Sequence, residues 1–199
     1  DDNSNLGQSF VGYAQSLNRM GTLGIGWLNF ALTRYYREDT FMFAYGKRIS
    51  HSKGGSSLAA GLNLKVLYKG FEKTIYTENA INLDTSERKG GRDPVFENSY
   101  SHTGFSTNLG LLYDLGRHHS FGLTLNDINQ PNMGLAGKDK VALATKLGYA
   151  YRARNFNMTS DLIFKKRDIT VLAGAEKWFI GNTLAIRGGL GIGTREYSS

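Results

Sequence analysis

Bulky apolar residues alternate with small or polar residues along most of the chain, and this period of two indicates β-strands with two different faces. In the segment 57–71, for example, Leu62 and Leu64 lie on one face, whereas Asn63 and Lys65 lie on the other. The pattern predicts ten strands, over about 8–17, 21–34, 39–49, 57–71, 104–115, 119–128, 140–151, 156–165, 169–179 and 182–194. No segment has a convincing helical period, so the sequence predicts an all-β fold that runs as an antiparallel meander.

The connections between the predicted strands differ at the two ends of the sheet. Alternate connections are short, at about 18–20, 50–56, 116–118, 152–155 and 180–181. The opposite end carries a loop of about 32 residues at 72–103 and one of about 11 residues at 129–139, although its connections at 35–38 and 166–168 are short. Bacterial outer-membrane barrels have this asymmetry, with short turns in the periplasm and long loops outside the cell.

The predicted turns bring polar residues opposite one another on neighbouring strands. A turn at 153–154, a turn at 181–182 and a three-residue turn at 116–118 give three pairs: Lys146 with Asp161, Glu176 with Arg187, and Asn108 with Asn126. These six residues, together with Lys65 and Asp114, are the predicted polar residues of a barrel lumen. Structural pairing that holds the wall together is favoured over a specific ligand site, since charges removed from water must be paired.

Alternation alone does not distinguish a transmembrane barrel from a soluble one, whose apolar face would point inward and bind an apolar ligand. The composition of the second face favours the membrane, because Gly, Asn and charged residues suit a wet lumen. Aromatic residues at the ends of an aliphatic band, such as Tyr149, Tyr151 and Phe164, resemble a girdle at a lipid interface. The chain has no apolar stretch of the ~18 residues that a transmembrane helix requires.

The net charge is +7 and the pI is about 9.5, which permits an anionic partner. The basic residues are scattered, however, and their densest runs, at 87–92 and 165–167, have the composition of turns. Nucleic acid is therefore not an expected partner.

Catalytic, metal and cofactor sites are not predicted. The chain has no cysteine, which excludes a thiol nucleophile, a disulfide scaffold and a cysteine-ligated zinc ion. Three histidines, His51, His118 and His119, share the short-turn end, but neighbouring histidines point to opposite sides of a strand. Ser101 and His102 are adjacent without an orienting acid beside them, so the sequence does not predict an enzyme.

The expected positions of the two termini indicate that the chain is a fragment of a longer barrel. If the short turns are periplasmic, both termini lie on the outer side, whereas complete single-chain barrels have an even strand number and periplasmic ends. An odd number of strands is then missing from each end of the single domain over 1–199, and the complete barrel has at least twelve.

Several segments resemble the PorV/PorQ-type proteins of the wider FadL-like outer-membrane superfamily. The similarity extends over about 20–192 and is carried by the order of short pieces: GTLGIG at 21–26, FAYGKR at 43–48, AGLNLKVLY at 60–68, GLLYD at 110–114, FGLTLN at 121–126, LGYAY at 147–151, SDL at 160–162, GAEKW at 174–178 and LAIRGG at 184–189.

The resemblance implies a fourteen-stranded barrel in the bacterial outer membrane. Its function would be either type IX protein secretion or transport of hydrophobic small molecules across that membrane. The expected partners are outer-membrane lipid and either a hydrophobic small molecule or secretion-machinery and cargo proteins, which would bind the loop 72–103.

Overall fold

The computed structural model describes residues 6–32, 36–52, 54–71, 101–135, 137–179 and 183–194. Its ten strands are β1 Leu6–Ser16, β2 Thr22–Leu32, β3 Tyr36–His51, β4 Ser57–Phe71, β5 Ser101–Leu115, β6 His119–Asn126, β7 Ala144–Arg152, β8 Phe156–Lys165, β9 Asp168–Phe179 and β10 Leu184–Gly193. One 3₁₀ turn, Asn18–Met20, separates β1 from β2, and the described residues form no α-helix. The prediction of an all-β chain with ten strands is confirmed.

The ten strands form one antiparallel sheet in sequence order, from β1 to β10. Each strand pairs only with the strands before and after it, which confirms the predicted meander. Within the described residues β1 and β10 do not pair with each other, so the sheet is open rather than a closed barrel.

The register agrees with two of the three predicted polar pairs. Glu176 lies directly opposite Arg187. The three-residue turn at 116–118 is also confirmed, because Leu115 pairs with His119 and Gly116 takes a positive φ of 63°. The same register, with Leu109 opposite Leu125, carries Asn108 to the level of Asn126.

The predicted pairing of Lys146 with Asp161 is wrong. The N–H of Ala153 donates to the carbonyl of Phe156 at 2.7 Å, so the ladder continues past the expected end and the turn is Arg154-Asn155. Moving the turn by one residue moves the register by two, so Lys146 lies opposite Ile163 and Asp161 lies opposite Gly148. Both charges keep the predicted face, because a shift of two residues preserves the alternation.

The distribution of buried residues is the reverse of that in a water-soluble sheet. Large apolar side chains on one face are exposed, including Phe43 at 55%, Leu64 at 49% and Ile186 at 64%. Among the described residues the buried side chains are small or polar, apart from one methionine: Asp39, Ser57, Ser106, Ser120, Met133, Ala142 and Ala144. No apolar core lies beneath the exposed face in the part of the chain that is described.

The segment between β6 and β7, described over 127–135 and 137–143, folds over the opposite, polar face. Met133 contacts that face so closely that a Cβ added to Gly104 would lie 2.5 Å from the methionine sulfur. A cavity of about 480 Å³ is lined by this segment, by Thr40 of β3 and by Lys165 of β8. Strands far apart in the sheet therefore approach the same segment, so the polar face is the inner side of a curved sheet.

Candidate functional site

A chain of hydrogen bonds crosses four strands on the inner face near the short turns. Asp114 of β5 accepts from Ser57 Oγ of β4 at 3.1 Å and from Ser120 Oγ of β6 at 2.6 Å. The Ser120 hydroxyl in turn accepts from Nη1 of Arg152 on β7 at 2.9 Å. The predicted lumen residue Asp114 therefore belongs to a hydrogen-bond network with two buried serines and an arginine. None of these three was among the predicted lumen residues.

A second polar cluster surrounds Glu176 on β9, at the same end of the inner face. Its Oε2 lies 3.0 Å from Nη2 of Arg187 on β10, so the predicted pair forms an ion pair. Its Oε1 accepts from Asn157 Nδ2 at 3.2 Å and from Trp178 Nε1 at 2.5 Å. Three donors thus fix the carboxylate, and it holds one edge of the arginine in place.

The third cluster is centred on Asp127, immediately after β6. Its Oδ1 lies 2.5 Å from Lys65 Nζ and accepts from Ser106 Oγ at 2.6 Å, and both side chains of the ion pair are 15% exposed. Its backbone N–H donates to Asn108 Oδ1 at 2.9 Å. The predicted lumen residues Lys65 and Asn108 therefore both contact Asp127, which the sequence had predicted to lie inside a strand.

A positive φ of 56° at Asp127 turns the chain away from the end of β6 and over the inner face. Aspartate adopts this conformation more readily than most residues. Beyond it, Asn129 bonds the backbone of β5 twice, accepting from the Thr107 N–H at 3.0 Å and donating to the Phe105 carbonyl at 2.7 Å. The segment is thus held in place by hydrogen bonds as well as by Met133.

Three asparagines form a row across the middle of the inner face: Asn63 of β4, Asn108 of β5 and Asn126 of β6. They line a shallow cavity of about 470 Å³ beside a row of glycines, Gly46, Gly61 and Gly110, on three adjacent strands. Oδ1 of Asn63 is buried, and it has no hydrogen-bond partner among the described residues. Asn126, a predicted lumen residue, lines the cavity and forms no hydrogen bond through its side chain within the described part.

Lys146 and Asp161 lie on the inner face as predicted, but both are exposed. Within the described residues neither forms an ion pair. Of the eight predicted lumen residues, five therefore belong to hydrogen-bonded clusters and three do not.

The outer, apolar face has a banded arrangement. Tyr113, Phe121 and Tyr149 lie side by side on β5, β6 and β7 near the short turns, and the last two rings are 5.3 Å apart. The next row across the sheet is aliphatic on six adjacent strands: Leu111, Leu123, Leu147, Leu162, Val171 and Ile192. Toward the long loops, Trp27 stacks on Phe41 at 6.4 Å. On β5, for example, Leu109 and Leu111 lie between Tyr113 and Phe105 on this face.

One carboxylate lies on the apolar face and is nevertheless buried. Oδ1 of Asp39 on β3 accepts from Trp27 Nε1 and from Asn29 Nδ2, both at 2.9 Å. Its Oδ2 lies 2.5 Å from Nε of Arg37, and the aspartate side chain is only 4% exposed. The sequence contained a signal for this site, since Asp39 is in phase with Phe41 and Phe43.

Metal and catalytic sites were not predicted, and the described residues contain no group of three or more His, Asp or Glu arranged to hold a metal ion. Ser101 and His102 are consecutive residues of β5, so their side chains point to opposite faces. In the described part of the chain, no helix has the length and apolar character needed to cross a membrane. The loop 72–103 lies outside the described residues except for its last three, which begin β5.

No protein-family model matches the chain, and no curated protein matches it.

Proposed function

We propose that the chain is part of the wall of a β-barrel in the bacterial outer membrane, with the apolar face toward lipid and the polar face toward an aqueous lumen. The observation that supports this most directly is the reversed burial, with exposed leucines and isoleucines on one face and buried serines on the other. Such a sheet exposes too much apolar surface for water, whereas a hydrocarbon surrounding favours that surface.

The dimensions and banding of the sheet support the same proposal. Strands such as β4, with 15 residues, rise about 3.3 Å per residue and cross an apolar band of about 25 Å even when strongly tilted. The row of six aliphatic residues that begins at Leu111 on β5 and ends at Ile192 on β10 would lie in the hydrocarbon. Tyr113, Phe121 and Tyr149 would lie at the membrane interface on the side of the short turns.

The open edges of β1 and β10 would be completed by further strands, and the resemblance to PorV/PorQ-type proteins suggests fourteen in all. In that family context the barrel would serve type IX secretion or the transport of hydrophobic small molecules, without being an enzyme. The partners would be lipid and either a hydrophobic molecule in the lumen or proteins that bind the loop 72–103.

Spin labels on single cysteines test the orientation of the two faces, because the natural chain has no cysteine. Labels would replace Leu147 and Leu162 on the outer face and their neighbours Lys146 and Asp161 on the inner face, where no described partner is lost. In lipid vesicles the leucine positions should collide mainly with oxygen, and the charged positions mainly with a water-soluble nickel chelate. Each charged position serves as the matched control for the leucine beside it.

Two results would contradict the proposal. One is equal accessibility of neighbouring labels to the two reagents. The other is a chain that stays dispersed without detergent and buries both leucine positions from oxygen and from nickel, as the alternative soluble barrel with an apolar ligand requires.

A further inference from the structure

A cavity of about 590 Å³ lies on the inner face near the short turns, over β7, β8, β9 and β10. Its floor is a row of small side chains that are direct neighbours on these four strands: Ala150, Thr159, Gly174 and Gly189. Arg152 and Arg187 also line it, one on the first of these strands and one on the last. We call this space the arginine cavity.

Arg152 is held in place from outside the arginine cavity. One of its N–H groups donates to Ser120 Oγ at 2.9 Å, and Ser120, which is 4% exposed, is itself fixed by Asp114. A guanidinium group has five N–H donors in a planar fork. The remaining donors of this arginine have no partner among the described residues, and the residue lines the cavity.

Arg187, on β10, is held in place by Glu176 of the neighbouring strand β9. Its Nη2 lies 3.0 Å from Glu176 Oε2, while the other oxygen of that carboxylate is occupied by Asn157 and Trp178. The arginine side chain is nevertheless 72% exposed. One edge of the guanidinium is therefore positioned by the carboxylate, and the other edge has no partner among the described residues.

We propose that the arginine cavity binds a small molecule that carries two oxyanion groups, either phosphates or carboxylates. Two arginines and one glutamate are the charged residues that line it, which leaves an excess of one positive charge. Guanidinium groups bind phosphates and carboxylates through paired hydrogen bonds, and groups held in place in advance lose less freedom on binding.

The spacing of the strands indicates the length of the ligand. Arg152 and Arg187 are separated by three strand spacings, or about 14 Å between their backbones. Arg187 reaches toward β9 through Glu176, whereas Arg152 reaches toward β6 through Ser120, so the two guanidinium groups stay about as far apart as their strands. The ligand therefore has to be extended, with one anionic group at each end. This site depends on the sheet alone and does not require the lipid orientation proposed above.

Fluorescence of Trp178 reports on the site, because its indole donates to Glu176. We would use the full chain in detergent micelles with Trp27→Phe, so that Trp178 is the sole tryptophan. Two extended anions, tripolyphosphate and citrate, would be titrated separately at constant ionic strength. At least one should give a saturable change that sodium chloride does not give. Arg152→Gln or Arg187→Gln should weaken that binding by about 10- to 100-fold, as expected for hydrogen bonds to a charged group.

Arg154→Gln is the matched control, since this arginine lies in the adjacent turn outside the cavity. The affinity of this variant for the anion should equal that of the parent. Ala150→Leu keeps both arginines but fills the floor, and it should also weaken binding. Circular dichroism verifies that each variant is folded, and Arg187→Lys provides a variant that retains the charge but loses the fork. The proposal is overturned if neither anion gives a saturable response, or if both folded glutamine variants bind as tightly as the parent.

Discussion

Replacement of Asp39 by alanine tests whether the buried carboxylate on the apolar face stabilises the sheet through its hydrogen bonds. The substitution leaves the indole N–H of Trp27 and the amide of Asn29 without their acceptor. A buried donor that loses its partner costs about 1–3 kcal/mol. Trp27 and Asn29 are half-buried, so the two donors together give an expected loss in the lower part of the summed range, about 2–4 kcal/mol in the free energy of unfolding.

The ion pair with Arg37 adds little to this value. Arg37 is 60% exposed, so its guanidinium can be hydrated when the carboxylate is removed. An exposed pair of this kind contributes about 0–1 kcal/mol. Arg37→Gln is therefore the matched control, with an expected loss of about 1 kcal/mol or less. Asp39→Asn, which retains one acceptor oxygen and the shape of the side chain, should lie between the two.

The measurement is equilibrium unfolding in urea, with the protein in detergent micelles and far-UV circular dichroism as the signal. In a Trp178→Phe background, fluorescence of Trp27 provides a second, local probe of the same transition. A loss below about 0.5 kcal/mol for Asp39→Ala would refute the reasoning. So would an equal loss for Arg37→Gln, because the ion pair rather than the two neutral donors would then provide the stability.

Three further predictions concern the inner face. Asp127→Ala should cost about 3–5 kcal/mol by leaving Lys65 unpaired where it is only 15% exposed. Lys65→Met combined with Asp127→Asn, which suits the positive φ, should recover part of the loss in urea unfolding. Gly104→Ala should displace Met133 and speed limited proteolysis within 134–139, whereas Gly110→Ala, whose added Cβ would lie 3.6 Å from its nearest neighbour, should not; equal rates would contradict this. Asp161→Ala should change stability by less than about 0.5 kcal/mol, and a loss above about 1 kcal/mol would mean that its charge interacts after all.

The strands were predictable because the alternation of the two faces continues through all ten of them. The short turns were also predictable where their chemistry is distinctive, as at Gly116, whose positive φ suits glycine. The turn after β7 was not, because Ala153, Arg154 and Asn155 are compatible with either of two positions and the difference is one ladder hydrogen bond. That single bond decided the register of Lys146 and Asp161.

The polar clusters were only partly predictable. The sequence identified Asp114 and Lys65 from their phase in the strands, but serines in strands carry no such signal, so Ser57, Ser106 and Ser120 were missed. Asp127 was missed for another reason: it was placed inside the predicted strand 119–128, where it falls in the phase of Leu123 and Leu125, and only its backbone conformation shows that it turns inward. The position of the segment 127–143 on the inner face is a tertiary arrangement, which the spacing of the strands does not encode.

Pairing between sequence neighbours alone has a consequence for the kinetics of folding. Most adjacent strands are joined by short connections and can zip together as hairpins, a process that takes microseconds in isolated peptides. The pairing of β4 with β5 is different, because it must close the connection 72–100 at a larger loss of chain entropy. We therefore expect β1–β4 and β5–β10 to form as two separate kinetic units, and the slow step to be the joining of β4 to β5.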